Sequence, residues 1–175
     1  ETEFSGRGEV RVEEGNLVLG LGFMTGVVWT KPFPTSNYEI RLEAKRVQGS
    51  DFFCGLTFPV KDSHCSWING GWGGGVVGLS SLDGFDASEN ETTQYRKFEK
   101  NTWYKFRLRV TDEAIQCWID EEQIIDVKTR DRKIGLRFGE IELWVASWST
   151  AAALRNIEYR TLDPLPESNG AEVEE

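Results

Sequence analysis

The side chains best suited to chemistry here are tryptophans and long charged residues. Seven Trp stand among 175 residues. Trp offers a flat apolar face with an N–H donor at its rim, which suits the C–H faces of sugar rings. Trp144 and Trp148 are in phase with each other and out of phase with apolar Ile141, Leu143 and Val145. Both therefore fall on the face opposite the expected core, as a binding platform or as a second packing layer. Trp72, set among glycines in GGWGGG, either folds over a cleft or fills a loop. Arg41, Glu43 and Lys45 share one side of one strand, and Lys105, Arg107 and Arg109 one side of another. Such rows are either plain solvated surface or hydrogen-bonding groups for the hydroxyls and carboxylates of a glycan. The candidate carbohydrate contacts are Trp72, Trp144, Trp148, Arg41, Arg107 and Asn69.

Other clusters admit other chemistry. Asp83, Asp86 and Glu89, in the polar stretch LDGFDASENETT, are candidate calcium ligands through carboxylates and carbonyls. The spacing is not that of an EF-hand, and the competing expectation is a solvated loop. Cys54 and Cys65 flank a turn centred near Pro59 and Val60. Antiparallel pairing about that centre sets them almost opposite each other, as a cross-strand disulfide or as two buried thiols. Cys117 alternates with Ile115 and Ile119 and is expected in the core. His64, the only His, is expected to be structural.

The elements that must position these residues are strands. Tyr38 to Val47 alternates over ten residues, with Tyr38, Ile40, Leu42 and Ala44 facing one way. Glu9 to Gly20 reads as a hairpin about a Gly-Asn turn. Further strands are expected at Val27–Thr30, Phe52–Phe58, His64–Asn69, Val76–Ser80, Thr102–Val110, Ala114–Asp120, Gln123–Val127, Ile134–Phe138, Ile141–Trp148 and Leu154–Tyr159. No segment has helical period. The pattern predicts an all-β, two-sheet jelly-roll sandwich over residues 1–161. Residues 162–175 are expected to be an acidic, disordered tail.

Charge and hydropathy narrow the function. The net charge is −9, which argues against a nucleic-acid partner. No phosphate loop stands between a strand and a helix, since GGWGGG lies between strands. No apolar run is long enough for a membrane span.

The order of motifs resembles the 3-keto-disaccharide hydrolase family over about three quarters of the chain. VVWTKPFPTSNYEIRLEAK resembles its Trp, proline turn and F/Y-E-x-R-x-E strand. NTWYKFRLRVTDEAIQCWIDEEQIIDV resembles its W-Y and I-x-x-W hairpin, where Trp103 and Trp118 are expected to pack. KIGLRFG with LRNIEYRTL resembles its closing motif. The resemblance implies a concanavalin A-like jelly roll, an exported protein and a polar site on the concave sheet. The family's middle strand resembles Y-E-x-Q-I-x-D, whereas this chain reads HCSWINGG there, so no catalytic residue carries over from that strand.

Glu43, in the family-like strand, is the first candidate for acid–base work. A glycosidase usually needs two carboxylates at a set separation. Glu142 and Glu158, each out of phase with its strand's core residues, are candidates for the second. A 3-keto sugar can instead be cleaved by elimination, with one base at an acidified C–H and an acid at the leaving group. The expectation is thus an exported carbohydrate-recognition domain, with or without cleavage of a glycoside. The alternative is an adhesion or assembly subunit that associates with itself or a neighbour.

Overall fold

The computed structural model describes residues 4–135 and 143–163. Its strands are β1 (Val10–Glu13), β2 (Asn16–Leu19), β3 (Met24–Val28), β4 (Tyr38–Gly49), β5 (Cys54–Val60), β6 (Ser63–Gly71) and β7 (Val76–Ser80). They continue with β8 (Gln94–Tyr95), β9 (Tyr104–Val110), β10 (Ala114–Ile119), β11 (Glu122–Lys128), β12 (Trp144–Trp148) and β13 (Thr150–Thr161). Seven form one sheet, in the order β1-β2-β13-β4-β9-β10-β11. Six form the other, in the order β3-β12-β5-β6-β7-β8. All pairings are antiparallel. The chain crosses repeatedly between the sheets, and no helix occurs among the described residues, so the architecture is the expected two-sheet jelly roll.

Period-two alternation builds the core. Ile40, Leu42, Ala44, Phe106 and Leu108 of the seven-stranded sheet meet Leu56, Phe58, Cys65, Trp67 and Leu79 of the six-stranded sheet. Trp67 meets Phe106 edge-on, with ring centroids 5.6 Å apart. The Tyr38 hydroxyl donates to the Pro59 carbonyl across the sandwich.

The outer side of the six-stranded sheet is largely covered. β5 is buried along its whole length, which explains why its sequence is apolar on both faces. Small residues there let other segments lie close. Phe52 packs on Gly55, and a Cβ at Gly78 would sit 2.7 Å from the Ala87 carbonyl oxygen. The polar stretch after Leu82 is thus folded onto β7 instead of standing in solvent. Asn90 Nδ2 donates to the carbonyls of Leu79 and Asp86, and Leu79 N–H donates to Thr92 Oγ1.

Arg46, only 5% exposed, holds the β6–β7 turn. Its guanidinium donates to the carbonyls of Asp51, Gly70, Gly74 and Phe98. Gly70 has a φ of 82° there, a left-handed conformation that glycine adopts without strain.

Candidate functional site

The outward side of the seven-stranded sheet carries the longest row of polar side chains. Because Ile40, Leu42, Phe106 and Leu108 point into the core, Glu39, Arg41, Glu43, Lys105, Arg107 and Arg109 point away from it. Strand register aligns these into rungs. Arg160, Glu39, Arg109, Gln116 and Asp126 make one. Glu158, Arg41, Arg107, Trp118 and Gln123 make the next. Arg155, Glu43 and Lys105 make a third. A bulge in β13 between Arg155 and Glu158, with Asn156 at φ 51°, inserts a residue between two of these rungs.

A groove of about 440 Å³ runs over the second and third rungs. It is lined by Arg41, Glu43, Lys105, Arg107, Trp118, Glu121, Asn156, Ile157 and Glu158. A smaller hollow of about 140 Å³ adjoins it, lined by Glu39, Arg41, Glu158, Tyr159 and Arg160. A third cavity, an apolar cleft of about 520 Å³, opens beside β3, β12 and β13 and includes Trp29, Trp144 and Tyr159. It shares Leu42, Ile157 and Glu158 with the groove but has far fewer hydrogen-bonding groups.

Electrostatics fix the groove's geometry. The Glu39 side chain is fully buried and lies 2.9 Å from Arg41, 2.9 Å from Arg109, 3.1 Å from Arg160 and 3.8 Å from Arg107. Burial pushes the Glu39 carboxyl up, but hydrogen bonds from Arg109 and Arg41 and the charge of Arg160 outweigh it. The carboxyl is held below its usual range. Glu43 accepts hydrogen bonds from Arg155 and, at 3.3 Å, from Asn156. Arg107 stacks 3.9 Å over the Trp118 ring, and Arg155 lies 4.1 Å over Trp103. Each stack places N–H donors beside an aromatic surface, so the groove offers donors, acceptors and flat apolar area together.

The expected carbohydrate contacts do not form one site. Arg41, Glu43 and Arg107 meet in the groove, and Glu158 joins them. Trp144 and Trp148 belong to the other sheet, out of phase with core Val145; Trp144 borders the apolar cleft that also includes Glu158, and Trp148 lines none of the three cavities. Trp144 packs on Phe4 at 4.8 Å and Trp148 on Phe23 at 4.3 Å, which is the second-layer packing alternative. Trp72 is half exposed on the β6–β7 turn and lines none of the three cavities. Asn69 is wholly buried and donates to the Cys54 carbonyl, so it cannot touch a sugar at the surface. Glu142 lies outside the described residues.

Two further expectations need correction. Asp83, Asp86 and Glu89 do not converge on a calcium site. Asp83 accepts from Lys133 N–H and Arg132, and these hydrogen bonds lower its carboxyl pKa. Asp86 accepts from Ser88 within its own turn. Among the described residues no three His, Cys, Asp or Glu form a potential metal cluster. The Cys54–Cys65 disulfide is likewise absent. The β5–β6 turn is centred at Lys61 and Asp62, so Cys54 pairs with Asn69 and Cys65 with Phe58. That register sets the two thiols four residue pairs apart, beyond the reach of a disulfide. All three cysteines are buried and free.

The family model for the 3-keto-alpha-glucoside-1,2-lyase-like domain matches residues 3–160. The chain belongs to this family. No curated protein matches the chain. Among solved structures, the carbohydrate-binding module CBM66 from Bacillus subtilis is similar, with a TM-score of 0.62 and 10% identity over 90% of this chain and 92% of that one. Crh5 transglycosylase in complex with NAG aligns with a TM-score of 0.59 and 12% identity, over 91% of this chain and 76% of that one. A structure from work on endo-acting O-glycanases of the human gut microbiota aligns at 0.57 with 12% identity, over 91% of this chain and 85% of that one. At these identities the likeness is one of fold. β6 carries no acid, and its Trp67 and Cys65 face the core.

Sequence reasoning missed Trp103, Trp118 and Glu39. The two Trp were expected to pack, yet each lies under two cations on the outward face. The signal was present: Trp118 is out of phase with core Cys117, and its cross-strand partner is Arg107. Glu39 alternates like an exposed residue, and only the register of Arg109 and Arg160 on either side of it explains its burial.

Proposed function

We propose that this domain is a carbohydrate-recognition module that holds a glycan in the groove on the outward side of the seven-stranded sheet. The observation that carries the reading is the groove itself. It combines guanidinium donors, the Glu43 and Glu158 acceptors, the Asn156 amide and the Trp118 ring in a space large enough for a sugar unit or two. The family membership and the fold shared with a carbohydrate-binding module support it. Among the described residues no helix is long and apolar enough to cross a membrane, and we place the protein outside the cytoplasm by analogy with glycan-handling folds.

Cleavage is a second reading, favoured by one observation: Glu43 and Glu158 line the same groove. A 3-keto-glycoside could lose its leaving group by elimination there, with one carboxylate taking the acidified C–H proton and the other protonating the departing oxygen. Glu43 is held in place by hydrogen bonds from Arg155 and Asn156. The test is a panel of glycans and 3-keto-glucosides read for both retention and released sugar. Retention without release supports the binding module, and release supports the cleaving reading. Silence on both, with a concentration-dependent oligomer in solution, would move the function to adhesion or assembly.

A further inference from the structure

We propose that the arginine cluster around Glu39 is a subsite for an anionic substituent, a carboxylate or a sulfate, on the bound sugar. The inference rests on the glycan-binding reading above and names the class of glycan.

Arg41, Arg107, Arg109 and Arg160 all have a guanidinium nitrogen within 4 Å of the one buried Glu39 carboxylate. A single negative charge is neutralised by one guanidinium, and among the described residues Glu158 is the only other carboxylate on the adjoining hollow. The site therefore keeps a positive excess. Arg41 and Arg160 are 51% and 59% exposed, so that excess faces the hollow's opening. Each guanidinium has five N–H donors in a planar fork that matches carboxylate and sulfate oxygens. Glu39 takes only part of this set.

Glu39 also solves the problem of holding like charges together. Buried at the centre, it fixes four mutually repelling side chains before any ligand arrives, so less ordering is left for binding to oppose. Lys105, Arg155 and Lys45 extend the same cationic face. The net charge of −9 hides this, because a sum over the chain says nothing of one face. The hollow opens onto the groove through Arg41 and Glu158, which line both. A sugar in the groove can thus place a substituent against the cluster.

The experiment measures affinity for galacturonate oligosaccharides, sulfated galactose oligosaccharides and their neutral galactose counterparts. The expected result is at least about tenfold tighter binding of an anionic series than the neutral one, weakening as salt is raised. The two anionic arms tell carboxylate from sulfate. Arg160→Gln should cost about tenfold in anionic affinity and leave neutral affinity unchanged. Glu158→Gln should strengthen anionic binding, an effect that misfolding could not produce. Equal affinity for neutral and anionic series, or a preference indifferent to Arg160→Gln, would overturn the proposal and leave the glycan-binding reading standing. Failure of every series to bind would overturn both.

Discussion

Replacing Glu39 by Gln removes one charge and almost no volume, so the response isolates the electrostatics of the cluster. The wild-type side chain is fully buried, while Arg109 and Arg107 are 33% and 22% exposed and Arg41 and Arg160 more than half. Arg109 gives two hydrogen bonds to one carboxylate oxygen, at 2.9 and 3.1 Å. A hydrogen bond to a charged group contributes about 1.5–3 kcal/mol net. The well-solvated Arg41 and Arg160 pairs contribute nearer 0.5 kcal/mol each. Gln retains one acceptor, so a loss of about 2–3 kcal/mol is expected at pH 7. At about 2–4 °C per kcal/mol for a domain of this size, the melting temperature should fall about 5–10 °C. The Glu39 carboxyl is held below its usual range, so its contribution is complete above the unfolded value of about 4.3 and is lost as pH falls through the lower folded value. Circular-dichroism melts from pH 7 to pH 3 should therefore show a wild-type advantage that closes on acidification. An unchanged melting temperature at pH 7, or an advantage that persists undiminished at pH 3, would mean that Glu39 does not hold the cluster together.

Other outcomes follow from the same structure. Arg46→Ala should cost about 2–4 kcal/mol, because four carbonyls lose their donor, and should shift Trp72 emission as the β6–β7 turn loosens. A melt unaffected by Arg46→Ala would remove that role. Thiol titration should find three free cysteines in denatured protein and almost no reaction in native protein, since burial pushes Cys54 and Cys65 up to about 12. Fewer than three would mean a disulfide. Calcium and chelator should leave the melting temperature within about 1 °C, because the Asp83 carboxylate is already paired with Arg132. If the domain cleaves, Glu43→Gln and Glu158→Gln should each abolish release while binding persists, and turnover surviving both changes would exclude that pair.

Much of the fold was legible because β-strand alternation is a local signal. Tyr38 to Ala44 and Thr102 to Ile119 alternate cleanly, and the structure places strands there with the expected faces inward. Strand ends were less legible. Leu154–Tyr159 proved to be part of a longer strand, Thr150–Thr161, because the bulge at Asn156 breaks the alternation midway. The turn at Lys61 and Asp62 was misplaced by two residues, which set Cys54 and Cys65 opposite each other; of the two alternatives, buried free thiols is the one the structure has. The site was half legible. Arg41, Glu43, Arg107 and Glu158 have the right phase, but phase alone does not say which sheet a strand joins. Trp144 and Trp148 were therefore combined with residues of the other sheet. The burial of Glu39 is set by neighbours from β9 and β13, and no window along β4 contains them.

Whether sugar binds on the seven-stranded sheet's outward face is read most directly from one pair of variants. Affinity chromatography on the best-retained glycan of the panel should compare Trp118→Ala with Trp148→Ala, both checked for native circular dichroism. Trp118→Ala should lose most retention, by about tenfold or more, and Trp148→Ala should keep it. Retention that survives Trp118→Ala but collapses with Trp148→Ala would put the site on the opposite sheet.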